Sequence, residues 1–169
     1  MNKQNSVSEN RSRIRTQQGF TLIELVITMV IASILAAIAI PSYSAYIQKS
    51  RRTEAKSALL DMASLEERYF STNNTYTNQA GNLGYPAGTA TSFPVGSGYY
   101  NITSIVANAA VAPTSTTSVG APATYTITAA PVAGTTQASD SACKSFTISS
   151  TGQQTATGTD PNASTDCWQ

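Results

Sequence analysis

The stretch "GFTLIELVITMVIASILAAIAIPSY", residues 19–43, is mostly apolar from Phe20 to Ile40 and carries a single charge there, Glu24. As a helix, the segment from Phe20 to Ile40 would run about 32 Å, enough to cross a hydrocarbon core of about 30 Å. A carboxylate inside lipid costs roughly 2 to 3 kcal/mol at mid-helix and less near an end, so Glu24 calls for a reason. A cleaved secretory signal has an apolar core of only about 7 to 15 residues followed by small residues. Ala37-Ile38-Ala39 could imitate such a cut, but the run is longer than that and holds Glu24.

Charge is distributed unevenly around this segment. Lys3, Arg11, Arg13 and Arg15 against Glu9 make the first nineteen residues basic, whereas the chain from Ser71 onward holds only Asp140, Lys144, Asp160 and Asp166. A basic leader tends to stay cytoplasmic and sends the remainder outward. Lys49, Arg51, Arg52 and Lys56 on the far flank work against that bias, so charge alone leaves the orientation open. The net charge of +1 gives no overall basic field of the kind that advertises a nucleic-acid partner.

The helical pattern continues past Pro41. Proline removes one backbone donor and kinks a helix, yet "SYSAYIQKSRRTEAKSALLDMASLEERYF" runs on in strong helix formers with no glycine or proline. Ala55, Ala58, Leu59, Met62, Leu65 and Tyr69 recur at spacings of three and four and draw an apolar stripe. The charged residues, Glu66 and Glu67 among them, fall mostly on the other faces. One helix from Phe20 to about Thr72, kinked at Pro41, is expected, its second half lying against a sheet; two helices broken at Pro41 are the alternative.

The remainder is rich in Ser, Thr, Ala and Gly. Residues 73–97 are dense in Asn, Gly, Thr and Pro and read as a long connecting loop. "GYYNITSIVANA", "ATYTITAAPV" and "CKSFTISSTG" show β-branched and aromatic residues in partial alternation, with "GQQTATG" a weaker fourth candidate. Three or four antiparallel strands over about 98–158 would cover the helix stripe, an α+β unit with one modest core. The stretch from Ala109 to Pro122 reads as a flexible loop between the first two strands.

Cys143 and Cys167 are the two cysteines, without a CxxC or His/Cys cluster beside them. In an oxidising compartment a bridge between them would stabilise by roughly 3.5 kcal/mol in the chain-entropy model; in the cytosol they would be two reduced thiols. The absence of histidine excludes His-based acid/base catalysis, Ser-His-Asp triads and His metal sites. Glu66 and Glu67, adjacent on a helix, point about 100° apart and read as a solvated face, not an acid/base pair. No phosphate-binding or dinucleotide fingerprint occurs. No catalytic residue, metal site or cofactor is expected, and an enzyme is not.

With these residues in view, "GFTLIELVITMVIASILAAIAIPSY" resembles the N-terminal signature of type IV prepilins: a Gly, a Phe, a Glu as fifth residue of the mature chain, then an apolar run and a Pro. The C-terminal "ACKSFTISSTGQQTATG" and "DCWQ" resemble the corresponding region of type IVa pilins, most closely the PilE-like minor pilins. That resemblance implies the pilin fold, a long kinked N-terminal helix packed on a small antiparallel sheet with a disulfide-bounded C-terminal region, 143–167. It also divides the chain into a leader (1–19), a membrane and filament-core helix (20–48) and a globular head (49–169). By the same resemblance, prepilin peptidase would cut between Gly19 and Phe20 and methylate the new Phe20 amine. Glu24 would meet the Phe20 amine of a neighbouring subunit, and Pro41 would bend the helix. The implied partners are other pilin subunits, the peptidase, the inner-membrane assembly machinery and the membrane itself. The chain would begin as a single-pass inner-membrane protein with a periplasmic head and end in a cell-surface pilus serving twitching motility, adhesion or DNA uptake. A leader of nineteen residues is longer than the family's usual. Two other functions compete: a pseudopilin of type II secretion, and a DNA-receptor pilin, for which the single cation past Tyr69, Lys144, is thin support.

Overall fold

The computed structural model describes residues 19–86, 92–113 and 120–169. The leader assigned to 1–19 therefore lies, but for Gly19, outside the described residues. By contact the chain divides into two units, one ending at Pro41 and one from Ser42 to Gln169.

The first unit contains the start of helix α1, Leu22–Asn73, which passes through Pro41 without interruption. Thr21 precedes its first turn and accepts a hydrogen bond from the Glu24 amide at 3.3 Å, which satisfies one of the orphan donors at a helix start. Its apolar side chains, among them Leu22, Ile23, Val30, Leu35 and Ile38, are exposed.

The second unit holds the rest of α1 and an antiparallel five-stranded meander, in order β1-β2-β3-β4-β5. The strands are β1, Phe93–Val95; β2, Tyr100–Asn108; β3, Thr124–Pro131; β4, Ser145–Ser149; and β5, Gln154–Thr157. Short 3-10 turns cover Ala80–Leu83 and Thr136–Ser139, and a one-turn helix, α2, covers Ala163–Asp166. From α1, Ala55, Leu59 and Met62 enter the core, where they meet Tyr100, Ile102, Ile105, Ile127, Phe146 and Ile148 from the sheet. Ala58, Leu65 and Tyr69 are half-buried at its margin.

Two features depart from the sequence reading. The stretch 73–97 is not a plain loop: it contains the 3-10 turn and the edge strand β1, so the sheet has five strands and begins at Phe93. Pro94 sits in that strand opposite Asn101; a residue without an N–H is tolerated on an edge because its missing donor faces away from the ladder. The second departure is in β2, where the register shifts between Ile102 and Ser104. The irregularity turns Ile105 inward beside Ile102, where strict alternation would have put Ser104. Between β2 and β3, Val111 and Ala121 pair through two backbone hydrogen bonds, 2.8 and 2.9 Å; the part of the expected flexible loop at 114–119 lies outside the described residues.

Cys143 and Cys167 are bonded, with Cα atoms 5.9 Å apart, and both are buried. The bridge ties the approach to β4 to the end of α2. Beside it, Trp168 packs edge-on to Phe146 and donates from Nε1 to the Thr155 carbonyl at 2.8 Å.

Candidate functional site

Gly19 and Phe20 stand just ahead of α1, and Phe20 is 83% exposed. Among the described residues a Cβ added at Gly19 would meet nothing within 4 Å, so none of them asks for glycine there. Glu24 lies in the first turn of α1 and is exposed, as is every residue from Gly19 to Tyr46. A carboxylate at this end of a helix is favoured by the unpaired N–H groups and the helix dipole. Thr21-Leu22-Ile23-Glu24 also has the spacing of a capping box, a local signal that the sequence reading passed over. Among the described residues Glu24 makes no ion pair.

The exposed face here is extensive. Leu22, Ile23, Leu25, Val26, Ile27, Met29, Ile34 and Ile40 are each at least 45% accessible, far beyond the scattered apolar residues normal on a soluble surface. The helix is long and apolar enough to cross a membrane.

In the head, carboxylates of α1 hold the chain that crosses it. Glu54 accepts from the Ser97 amide at 2.8 Å and from its hydroxyl at 2.9 Å. Gly96, next to it, has φ of +56°, and a Cβ there would come within 2.5 Å of the Glu54 carboxylate, so both backbone and space require glycine. Tyr85 donates to Asp61 at 2.8 Å and Tyr76 to Glu67 at 3.1 Å. Glu66 is 0% exposed, which corrects the expectation of a solvated Glu66-Glu67 pair. It continues the buried row Ala55, Leu59, Met62 by one more step of four, and that spacing was the available signal. One carboxylate oxygen accepts from the Thr77 amide at 3.1 Å, and the other has no partner. Burial pushes its pKa from the ordinary 4.5 up to about 7, against the pull of the Thr77 N–H.

A second polar cluster joins α1 to the turn before β4. Arg52 donates from Nε and Nη2 to the two oxygens of Asp140, both at 2.7 Å, a fork-shaped pair with Asp140 almost wholly buried. Gln137 donates to the same Asp140 and to the Tyr100 hydroxyl, each at 3.0 Å. Burial raises the Tyr100 pKa to about 12. Arg51 lies 3.4 Å over the Tyr99 ring and donates to Thr136 at 2.7 Å. Arg52 and Asp140 stand 88 residues apart, and only the fold brings them together.

None of these clusters has the layout of a catalytic centre, and among the described residues no group of three metal-ligating side chains converges. Most of the buried polar groups clamp the head, with one oxygen each of Glu66 and Gln137 left without a partner; the larger exposed feature is the apolar face before Pro41 and the carboxylate in it.

Known proteins agree with this division. Residues 14–40 match the prokaryotic N-terminal methylation motif. Over 68 residues, 40% of this chain, the sequence is 40% identical to the type IV major pilin protein PilA of Myxococcus xanthus (strain DK1622), covering 31% of that protein. Over 68 residues it is 43% identical to the type IV wide pilus major component PilA4 of Thermus thermophilus, covering 40% of this chain and 52% of that protein. Over 82 residues it is 40% identical to the type IV major fimbrial protein FimA of Dichelobacter nodosus, covering 42% of this chain and 50% of that one. The aligned part thus spans from about a third to about half of these relatives' length. Residues 41–147, more than half of the chain, match the family described as type IV minor pilin ComP, DNA uptake sequence receptor. A long exposed apolar helix with a methylation motif, a clamped meander and a bridged C-terminus therefore place the chain in that family, among the type IV pilins.

Proposed function

We propose that this chain is a minor subunit of a type IV pilus, made as a prepilin, cut between Gly19 and Phe20, methylated on the Phe20 amine and assembled through its N-terminal helix. The observation that carries the reading is Glu24, the lone charge between Phe20 and Ile40, on the part of α1 whose large apolar side chains are exposed. In a filament those side chains would pack on neighbouring helices. The Glu24 carboxylate would then meet the Phe20 amine of a neighbouring subunit, offsetting its desolvation and fixing the register of the stack. Gly19, which no described residue requires to be glycine, suits a tight protease subsite. Pro41 would bend α1 by removing one intrahelical donor. Before assembly the chain would sit in the inner membrane with its head in the periplasm, where the Cys143-Cys167 bond is chemically at home.

Mass spectrometry of the mature N-terminus tests this directly: the expected product starts at an N-methylated Phe20, and a product starting after Ala39 would exclude it. Glu24→Ala should leave that cut intact and reduce incorporation into sheared filaments at least tenfold. Incorporation at the level of the unmodified chain would remove Glu24 from its role.

A second reading, a receptor for transforming DNA, is supported by the family match over residues 41–147. The described cations outside the Arg52–Asp140 pair that could meet phosphates are few, chiefly Lys49, Arg68 and Lys144, all exposed. Binding of duplex DNA by the purified chain, weakening steeply between 50 and 200 mM salt and reduced by Lys144→Gln, would favour it; absence of such binding at 50 mM salt would exclude it.

A further inference from the structure

Three residues beyond the end of the apolar run, α1 carries the first of two exposed tyrosines: Tyr43 is 67% exposed and Tyr46 is 71% exposed. They lie three apart on the helix, so their rings leave it about 60° apart and flank it on neighbouring sides. Tyr46 borders a depression of about 450 Å³ shared with Lys49, Ser50 and Thr53. Tyr43 borders another of about 410 Å³ shared with Ile47, Gln48, Arg51 and Thr136. Lys49, one turn past the tyrosines, is exposed and makes no ion pair among the described residues. From Ser42 to Ala58 the chain has Lys49, Arg51, Arg52 and Lys56 against Glu54 alone. Asp140 neutralises Arg52, and Glu54, which also borders the Tyr46 depression and accepts from Ser97, offsets one more cation, so the surface just beyond the tyrosines keeps a smaller positive excess.

Amphipathic rings followed by cations, directly after an apolar span, are what a membrane–water boundary selects: the rings sit at headgroup depth, and each cation near an anionic surface adds attraction. We propose that Tyr43, Tyr46, Lys49 and Arg51 form a collar that seats the head on the headgroup layer of an anionic phospholipid bilayer, holding the unassembled subunit at a fixed depth. The proposal rests on the reading that the apolar part of α1 spans that bilayer. The occupant is lipid and not a second copy of the chain because the collar is covalently continuous with that span and its charge is complementary to an anionic headgroup.

The test uses the full chain, one copy per nanodisc, with an indole as depth gauge. In a Trp168→Phe background, Val30→Trp reports the span and Tyr46→Trp reports the collar, each against lipids brominated near the glycerol or near the acyl end. The indole at position 30 should be quenched most by the deep bromines. At position 46 the shallow bromines should dominate by about twofold or more, and more strongly in phosphatidylglycerol than in phosphatidylcholine, a difference that 0.5 M NaCl or Lys49→Gln removes. Quenching at 30 with water-like, unquenched emission at 46 would overturn the collar while leaving the span intact. An unquenched indole at 30 would overturn the span, and the collar with it. Signal at 46 appearing only in discs that hold two copies would assign the surface to a subunit contact instead. Because Trp168 packs on Phe146, amide exchange of the unsubstituted chain supplies an independent readout. Amides of residues 43–50 should exchange about threefold more slowly in phosphatidylglycerol discs than in phosphatidylcholine discs, and equal rates would overturn the proposal.

Discussion

The two halves of α1 are one helix with opposite bookkeeping. Before Pro41 its large apolar side chains are exposed and its one acid makes no ion pair among the described residues; after it, Ala55, Leu59, Met62 and Glu66 are buried, and Glu54, Asp61, Glu67 and Arg52 are each hydrogen-bonded to the rest of the head. Helical propensity is similar in both, so propensity does not separate them. The difference lies in the surroundings: the second half packs on its own sheet, and the apolar side chains of the first are exposed, to be covered by membrane and neighbouring subunits under the function proposed above. Changes in the second half should therefore register as folding defects of the isolated subunit, and changes in the first half as defects of insertion or assembly.

The strongest contrast is in the core. Leu59→Ala or Phe146→Ala should destabilise the head by about 3 to 5 kcal/mol in denaturant unfolding, while Ile31→Ala should move that transition by less than about 0.5 kcal/mol. An equal effect of both would erase the distinction between the halves. Next come the polar clamps. Asp140→Ala leaves Arg52 and Gln137 without their shared acceptor and should cost about 3 kcal/mol. Reducing the Cys143–Cys167 bond should cost a similar 2 to 4 kcal/mol, read as a lower midpoint under thiol.

Glu66 gives a pH signature. Its folded pKa of about 7 exceeds the ordinary 4.5, so between those values the native state holds a proton that the unfolded chain releases. Stability should then be greatest near the acid end of that window and fall as pH rises through 7, by up to about 3 kcal/mol. Unfolding measured from pH 5 to 8 should show this slope in the native chain and lose it in Glu66→Gln; a slope retained in the mutant would place its source elsewhere. The smallest effect is expected for Tyr85→Phe, about 1 kcal/mol, from the lost bond to Asp61.

Much of this was legible in the residues. The Phe20–Ile40 run, the stripe through Ala55, Leu59 and Met62, and the alternation in Tyr125, Ile127 and Ala129 each carry a period that physics converts into an element. What escaped was whatever broke a period or a rule. Pro94 hid β1 because proline argues against a strand unless the strand is known to be an edge. The register shift at Ile102–Ser104 blurred the alternation of β2. Glu66 looked solvated because charge outweighs position in a sequence reading, although its spacing from Met62 placed it in the buried row. Arg52 and Asp140 are 88 residues apart, and no local pattern joins them.

The ends of the sheet carry one more consequence. β1 has three residues and β5 four, so each offers only a short edge, and on β5 the Ala156 amide and carbonyl are already bonded to the Ser164 hydroxyl. β5 also lies wholly inside the 24-residue interval spanned by the Cys143–Cys167 bond, so it cannot swing out to trade places with the same strand of another molecule without carrying its neighbours along. Many copies crowded side by side are thereby denied the easiest route to amyloid-like growth and domain exchange. Heads packed at filament density would have to recognise one another through side chains, and could separate again without unravelling.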